Sequence, residues 1–179
     1  MPAVPTLLWS VLGLFAIERA AEIAINRRNS RELNARGAIW QGKRDGFTLI
    51  LVAQGVLFVG TFAEGSAAAW AGPRPWTWAC LALLALAQVL RYWCIATLGW
   101  RWTIRIVTVP GARRIASGPY RWFPHPNYAV VMAEAILLPL AFGAWVTLLL
   151  AAPLQLLALW RRIRLEEQAL GRAEPTGTA

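Results

Sequence analysis

The sequence predicts an all-α integral membrane bundle of about five transmembrane helices. Three observations carry that prediction. The 179 residues are 58% hydrophobic, with a mean hydropathy of +0.46, well above a soluble domain. The apolar residues fall in long continuous runs, with none of the alternation that a membrane barrel needs. The basic residues collect in the connections between those runs, as positive-inside sorting places them.

The first apolar segment runs from about Val4 to Ile25. Glu18, Arg19 and Glu22 interrupt it, and no basic region precedes it, so a cleaved signal peptide is not expected. A basic connection follows, with Arg27, Arg28, Arg31, Arg36, Lys43 and Arg44 against Glu32 and Asp45. The second segment is about Phe47 to Phe62, and the turn Glu64 to Pro75 carries one basic residue, Arg74. The third runs from about Trp76 to Leu98. A long polar connection, Gly99 to Asn127, then brings Arg101, Arg105, Arg113, Arg114 and Arg121. The fourth, about Tyr128 to Phe142, turns at Gly143 and Ala144 into the fifth, about Trp145 to Trp160. A span needs roughly 20 helical residues, so the second, fourth and fifth are short. If the connections 26–45 and 99–127 and the tail 161–172 share one side, an odd number of spans follows. The N-terminus is then outside, and the C-terminus is in the cytoplasm of an inner-membrane protein.

The composition bounds function as well. A net charge of +9 suits nucleic acid or an anionic membrane face, but here the basic residues flank apolar spans, so membrane lipids and not nucleic acid are the expected partners. Eleven tryptophans fit aromatic belts at two interfaces. Cys80 and Cys94 stand fourteen residues apart in one segment, about 21 Å along a helix, which excludes a disulfide between them. No zinc-ligand spacing, phosphate loop, dinucleotide fingerprint or nucleophile elbow occurs. Asp45 is the sole aspartate, so a two-aspartate metal site is not available.

Residues Gly118 to Tyr128 read Gly-Pro-Tyr-Arg-Trp-Phe-Pro-His-Pro-Asn-Tyr and hold the chain's one histidine. Pro124 and Pro126 stiffen the backbone on both sides of His125 and remove two donors. Asn127 is the expected N-cap of the fourth helix, and its free amides suit an anion. A structural turn without a ligand is the alternative. Glu134 lies inside the fourth segment, where a charge marks a functional site by default. It shares a helix face with Asn127. It is read either as a general base for a polar substrate or as a hydrogen-bond partner of Gln88 or Arg91. Arg91, near the cytoplasmic end, is expected to snorkel. Arg162 and Glu166 are i,i+4 partners. With Glu167 they form either a solvated, ion-paired helix end or a carboxylate pair for a ribose or an ammonium group.

Gly118, Tyr120, His125, Pro126 and Tyr128, followed by a short helical hairpin and Glu166–Glu167, resemble the isoprenylcysteine carboxyl methyltransferase family over about residues 100–170. The resemblance implies a cytoplasm-facing pocket for S-adenosylmethionine. It implies that Tyr120, His125, Pro126, Asn127 and Tyr128 contact this cofactor, that Glu166 or Glu167 holds its polar groups, and that Arg162 stands near the reacting end. A lipophilic acceptor would enter from the bilayer. The family usually has arginine before His-Pro, where this chain has Pro124. The His-Pro-Asn-Tyr form with a membrane glutamate is similar to a bacterial subgroup acting on alkylresorcinols and alkylpyrones beside type III polyketide synthases. The expected activity is therefore O-methylation of a phenolic or enolic polyketide lipid, with catalysis by Glu134, Arg162 and His125. A prenylcysteine-like carboxylate acceptor, a nicotinamide-dependent membrane reductase and a non-catalytic scaffold are the alternatives. The expected domain is single, 1–172, with three N-terminal helices over 1–98, the cassette, hairpin and last helix over 99–172, and a flexible tail at 173–179.

Overall fold

The computed structural model describes residues 6–41, 46–66, 73–112 and 114–173. Lys43, Arg44, Asp45 and Arg113 of the expected connections lie outside the described residues, as does the expected tail apart from Ala173. Five helices run in chain order: α1 (Thr6–Ala35), α2 (Phe47–Ser66), α3 (Pro75–Leu98), α4 (Pro126–Phe142) and α5 (Trp145–Ala173). Two short strands, β1 (Ile39–Trp40) and β2 (Val107–Thr108), pair antiparallel.

Local chemistry sets most boundaries. Helix α1 continues ten residues past the expected end at Ile25. Its arginines are good helix formers, and Glu32 pairs with Arg36 across one turn at 2.6 Å. It stops before Gly37, at φ 71°. At the start of α3 Pro75 occupies the first turn, and the Arg74 amide donates to the Thr77 hydroxyl. Helix α4 ends at Gly143, in left-handed geometry at φ 68°. The first amides of α5, at Val146 and Thr147, donate to Glu64 at the end of α2. The α4–α5 hairpin is thus capped from a third helix.

The start of α4 differs from expectation. His125, not Asn127, is the N-cap, and Pro126 takes the first helical position. Proline is preorganised there and has no amide to leave unpaired, so the helix begins two residues early.

The bundle exposes large apolar side chains and buries polar ones within its apolar core. Leu51, Val59, Leu83, Leu86, Val89, Leu149 and Leu150 are exposed, whereas Thr61, Thr77, Arg91, Glu134 and Gln155 are buried. That is the arrangement of a protein solvated by lipid. Three helices are long and apolar enough to cross a membrane, Phe47–Ser66, Pro75–Arg101 and Trp145–Ala169, and Pro126–Phe142 is a shorter apolar helix. Helix α3 packs along α4, and α2 along α5, around Leu8, Leu57, Leu84, Leu138 and Phe142. The chain is an integral membrane protein.

The polar connections meet at one end of this bundle. Asn29 of α1 donates to the carbonyls of Gly99 and Trp102 at 2.9 and 2.8 Å. The Ile104 amide donates to Asn26, and Gln41 donates to the Ile106 carbonyl. Arg162 of α5 donates to the Ile104 carbonyl.

Candidate functional site

Among the described residues, the charged side chains that the sequence singles out gather in two clusters. The first lies at the polar end. The turn Gly118–Arg121 packs on α3 so closely that a Cβ at Gly118 would stand 2.5 Å from the Thr97 hydroxyl, and Gly118 also has φ 55°. Only glycine fits both demands. The turn sets Tyr120 against α3, where its hydroxyl shares a hydrogen bond with Cys94. Burial, and then the neighbouring thiol, push the Tyr120 phenol above its usual range.

His125 follows, with its ring stacked on Tyr128 at 5.2 Å between centroids. The Tyr128 hydroxyl donates to Glu166 at 2.5 Å and accepts from Arg162 at 3.0 Å. The expected Arg162–Glu166 partnership therefore runs through a phenol. Arg162 is 6% exposed, and its bonds go to this phenol and to the Ile104 carbonyl. The two nitrogens of His125 face carboxylates without bonding them: Nδ1 is 3.8 Å from Glu166 and Nε2 is 3.6 Å from Glu167. His125 Nε2 and Asn127 Oδ1 are buried with no hydrogen-bond partner. Such atoms are costly unless something else satisfies them. Of the residues expected at the site, the structure gathers His125, Tyr128, Arg162, Glu166 and Glu167. Pro126 forms the helix start, and Asn127 stands beside it. Tyr120 is close enough for the charge on Glu166 to act on it.

The second cluster is inside the bundle and includes Glu134, which is 0% exposed. Its Oε1 accepts from Gln88 at 2.7 Å and from Arg19 at 3.1 Å, and its Oε2 accepts from Arg91 at 2.8 Å. Arg91 also donates to Glu22 at 2.8 Å. Arg19 pairs with Glu22 at 2.9 Å and approaches Glu18 at 3.5 Å. Of the two roles open for Glu134, the geometry shows bonding to Gln88 and Arg91. To take a proton it would have to give up an ion pair. Arg91, expected to snorkel, is instead 2% exposed, because two buried carboxylates hold it inside. In the sequence Glu18, Arg19 and Glu22 mark a break in the first apolar run and are not among the residues expected in the site. Their signal was present: three charges in an apolar helix call for buried partners.

The family model described as the isoprenylcysteine carboxyl methyltransferase (ICMT) family matches residues 80–172. The chain is 34% identical over 164 residues to "Uncharacterized protein YpbQ" of Bacillus subtilis (strain 168), covering 92% of this chain and 96% of that relative. It is 30% identical over 158 residues to an "Uncharacterized protein" of Haemophilus influenzae, covering 88% and 91%. No solved structure matches. The matched residues take in α3 from Cys80, the whole cassette and α5 to Arg172. Of the inner cluster they include Gln88, Arg91 and Glu134 but not Glu18, Arg19 or Glu22.

Proposed function

The chain belongs to the isoprenylcysteine carboxyl methyltransferase family and is a membrane methyltransferase, and we propose that it transfers the methyl group of S-adenosylmethionine to an acidic oxygen of a lipid-like acceptor at the polar end of the bundle. Members of this family use that cofactor. The observation that carries the reading is the cassette: buried, unpartnered His125 Nε2 and Asn127 Oδ1 beside the carboxylates of Glu166 and Glu167. These atoms fit a ligand rich in hydroxyl, amino and carboxylate groups. Glu166 and Glu167 would take the ribose hydroxyls or the ammonium, and the stacked pair His125–Tyr128 would form the wall. Bound there, the cofactor supplies a methyl group on a sulfonium, already activated for in-line attack. The chain's task is to bring the acceptor oxygen up to it and to exclude water. We read this end as cytoplasmic and the N-terminus as outside, a reading supported by the basic connections and arginines gathered here.

The first acceptor reading is a phenolic or enolic polyketide lipid, supplied by a polyketide synthase. It rests on Pro124 standing where the family usually has arginine. A phenol, with a pKa near 10, profits from a base. Glu134 is held by three donors, so we assign the role to His125, whose Nε2 has no hydrogen-bond partner. The second reading is a prenylcysteine-like carboxylate. Arg162 favours it, being buried with no carboxylate among the partners described above. Calorimetry in detergent tests the shared step, with binding of S-adenosylmethionine and competition by S-adenosylhomocysteine expected. Absence of both overturns the proposal. Methyl transfer to an alkylresorcinol against a farnesylcysteine analogue then decides the acceptor.

A further inference from the structure

The turn Gly118–Arg121 and the two aromatics that follow it lie along the side of α3, not above its end. Gly118 stands against Thr97 and the Trp93 indole. Tyr120 reaches Cys94. The Trp122 ring meets the Trp93 ring edge-on, at 5.9 Å between centroids. All of these contacts fall within the apolar span Pro75–Arg101, which has 27 residues. Such a helix is about 40 Å long, the thickness of a bilayer with its headgroup layers. Trp93 precedes Arg101 by roughly 12 Å of helix, which puts it near the boundary between headgroups and acyl chains.

Trp93 belongs to the face of α3 that exposes Leu83, Leu86 and Val89, three or four residues apart along one side of the helix. Lipid solvates that face. Trp122 and Phe123, 62% and 65% exposed, carry the same apolar surface onto the cassette. The backbone here suits a site poor in water, where an unbonded peptide donor is costly. Pro119, Pro124 and Pro126 have no amide to satisfy. The amides of Tyr120, Trp122 and Phe123 donate to the Ser117 and Pro119 carbonyls within the turn. Arg121 is exposed, and its stem is long enough to carry the charge out to the headgroups.

We propose that Trp122 and Phe123 dock on the bilayer that α3 crosses, so that the cassette is a membrane-anchored turn at the headgroup–acyl boundary and not a loop free in water. Continuity names the partner as lipid. The surface that the two aromatics extend is already the lipid-facing side of a membrane span, and Trp122 packs on a residue of that side. A tryptophan and a phenylalanine beside an arginine are also the residue types that settle at this depth. The anchor does not rest on methyl transfer.

The test uses the full chain reconstituted in vesicles of phosphatidylcholine and phosphatidylglycerol. A nitroxide on Phe123→Cys reads collisions with oxygen, which concentrates in lipid, against collisions with a water-soluble nickel chelate. Cys80 and Cys94 are buried, and the wild-type chain treated with the same label gives their background. Val89→Cys on the lipid face and Arg31→Cys, exposed on the α1 extension, are the two references. The label at 123 is expected to collide more with oxygen than with nickel, with the sign read at Val89→Cys. Trp122→Cys is the second position, read where Phe123→Cys lowers the melting temperature. A preference for nickel, as at Arg31→Cys, overturns the proposal by placing the aromatics in water. Shielding from both reagents, as beneath a second copy of the chain, overturns it equally. No cofactor enters the assay, so its result is independent of S-adenosylmethionine binding.

Discussion

The two polar clusters use the same residue types, arginine and glutamate, and are built on different terms. In the inner cluster Arg91 bridges two carboxylates at 2.8 Å each, and Glu134 takes three donors. In the cassette a histidine stands 3.6 and 3.8 Å from two carboxylates, bonded to neither, and Glu167 is 56% exposed. Tight mutual pairing inside a membrane ties helices together: Arg19, Glu22, Arg91 and Glu134 join α1, α3 and α4. Loose approach at a half-open end leaves atoms for a ligand. A charge in a membrane span is therefore not by itself a sign of catalysis. How fully its bonds are satisfied within the protein decides.

The strongest way to break this comparison is to remove the centre of the inner cluster. Arg91→Leu leaves Glu22 and Glu134 sharing one guanidinium, that of Arg19, with Gln88 as the other donor to Glu134, and breaking a buried pair from one side costs about 3–5 kcal/mol. A large drop in unfolding temperature in detergent is expected. A protein as stable as wild type would show that the cluster does not hold the bundle.

The cassette should answer the opposite way. His125→Ala is expected to weaken S-adenosylmethionine binding by about 1–3 kcal/mol, with a smaller change in stability, since the ring bonds neither Glu166 nor Glu167 and loses only its stacking on Tyr128. With a phenolic acceptor, turnover at saturating cofactor should also fall about 10²-fold. Parallel calorimetry, melting and methyl-transfer assays separate these effects. Loss of stability without loss of binding would make the cassette a structural turn. A smaller effect belongs to Glu167, at the exposed rim: Glu167→Ala should weaken the cofactor by about tenfold or less, in keeping with a partly solvated contact.

Much of the fold was legible because the bilayer writes it plainly. Continuous apolar runs gave all five helices, and Gly143 with the turn it allows gave the hairpin. Boundaries were less legible where two signals compete. The arginines after Ile25 read as a connection by polarity but extend α1 by helix propensity, and Asn127 reads as a cap until Pro126 claims the first turn. In the site, the grouping of His125, Tyr128, Glu166 and Glu167 came from the resemblance, while the Glu134–Arg91 pair was visible only as one alternative of two. Asn26 and Asn29 left no trace at all. They bond backbone groups more than 65 positions away, and a carbonyl or amide carries no residue signature.

The smallest expected effect is the most discriminating. Glu134→Gln keeps the shape and an acceptor oxygen, and it balances the inner cluster at two carboxylates against two guanidiniums. Its cost in stability should be well below that of Arg91→Leu. If Glu134 only ties helices, turnover of a phenolic acceptor by this variant stays near the wild-type value. A loss of about 10²–10⁴-fold, the worth of a general base, would return the proton to Glu134. Combining Glu134→Gln with His125→Ala closes the comparison. The two residues share no partner among the described contacts, and independent sites add within about 0.3–0.5 kcal/mol. Additive effects on cofactor affinity are expected from a double-mutant cycle. Coupling clearly above that range would mean that the inner cluster and the cassette act as one site, communicating along the first two turns of α4.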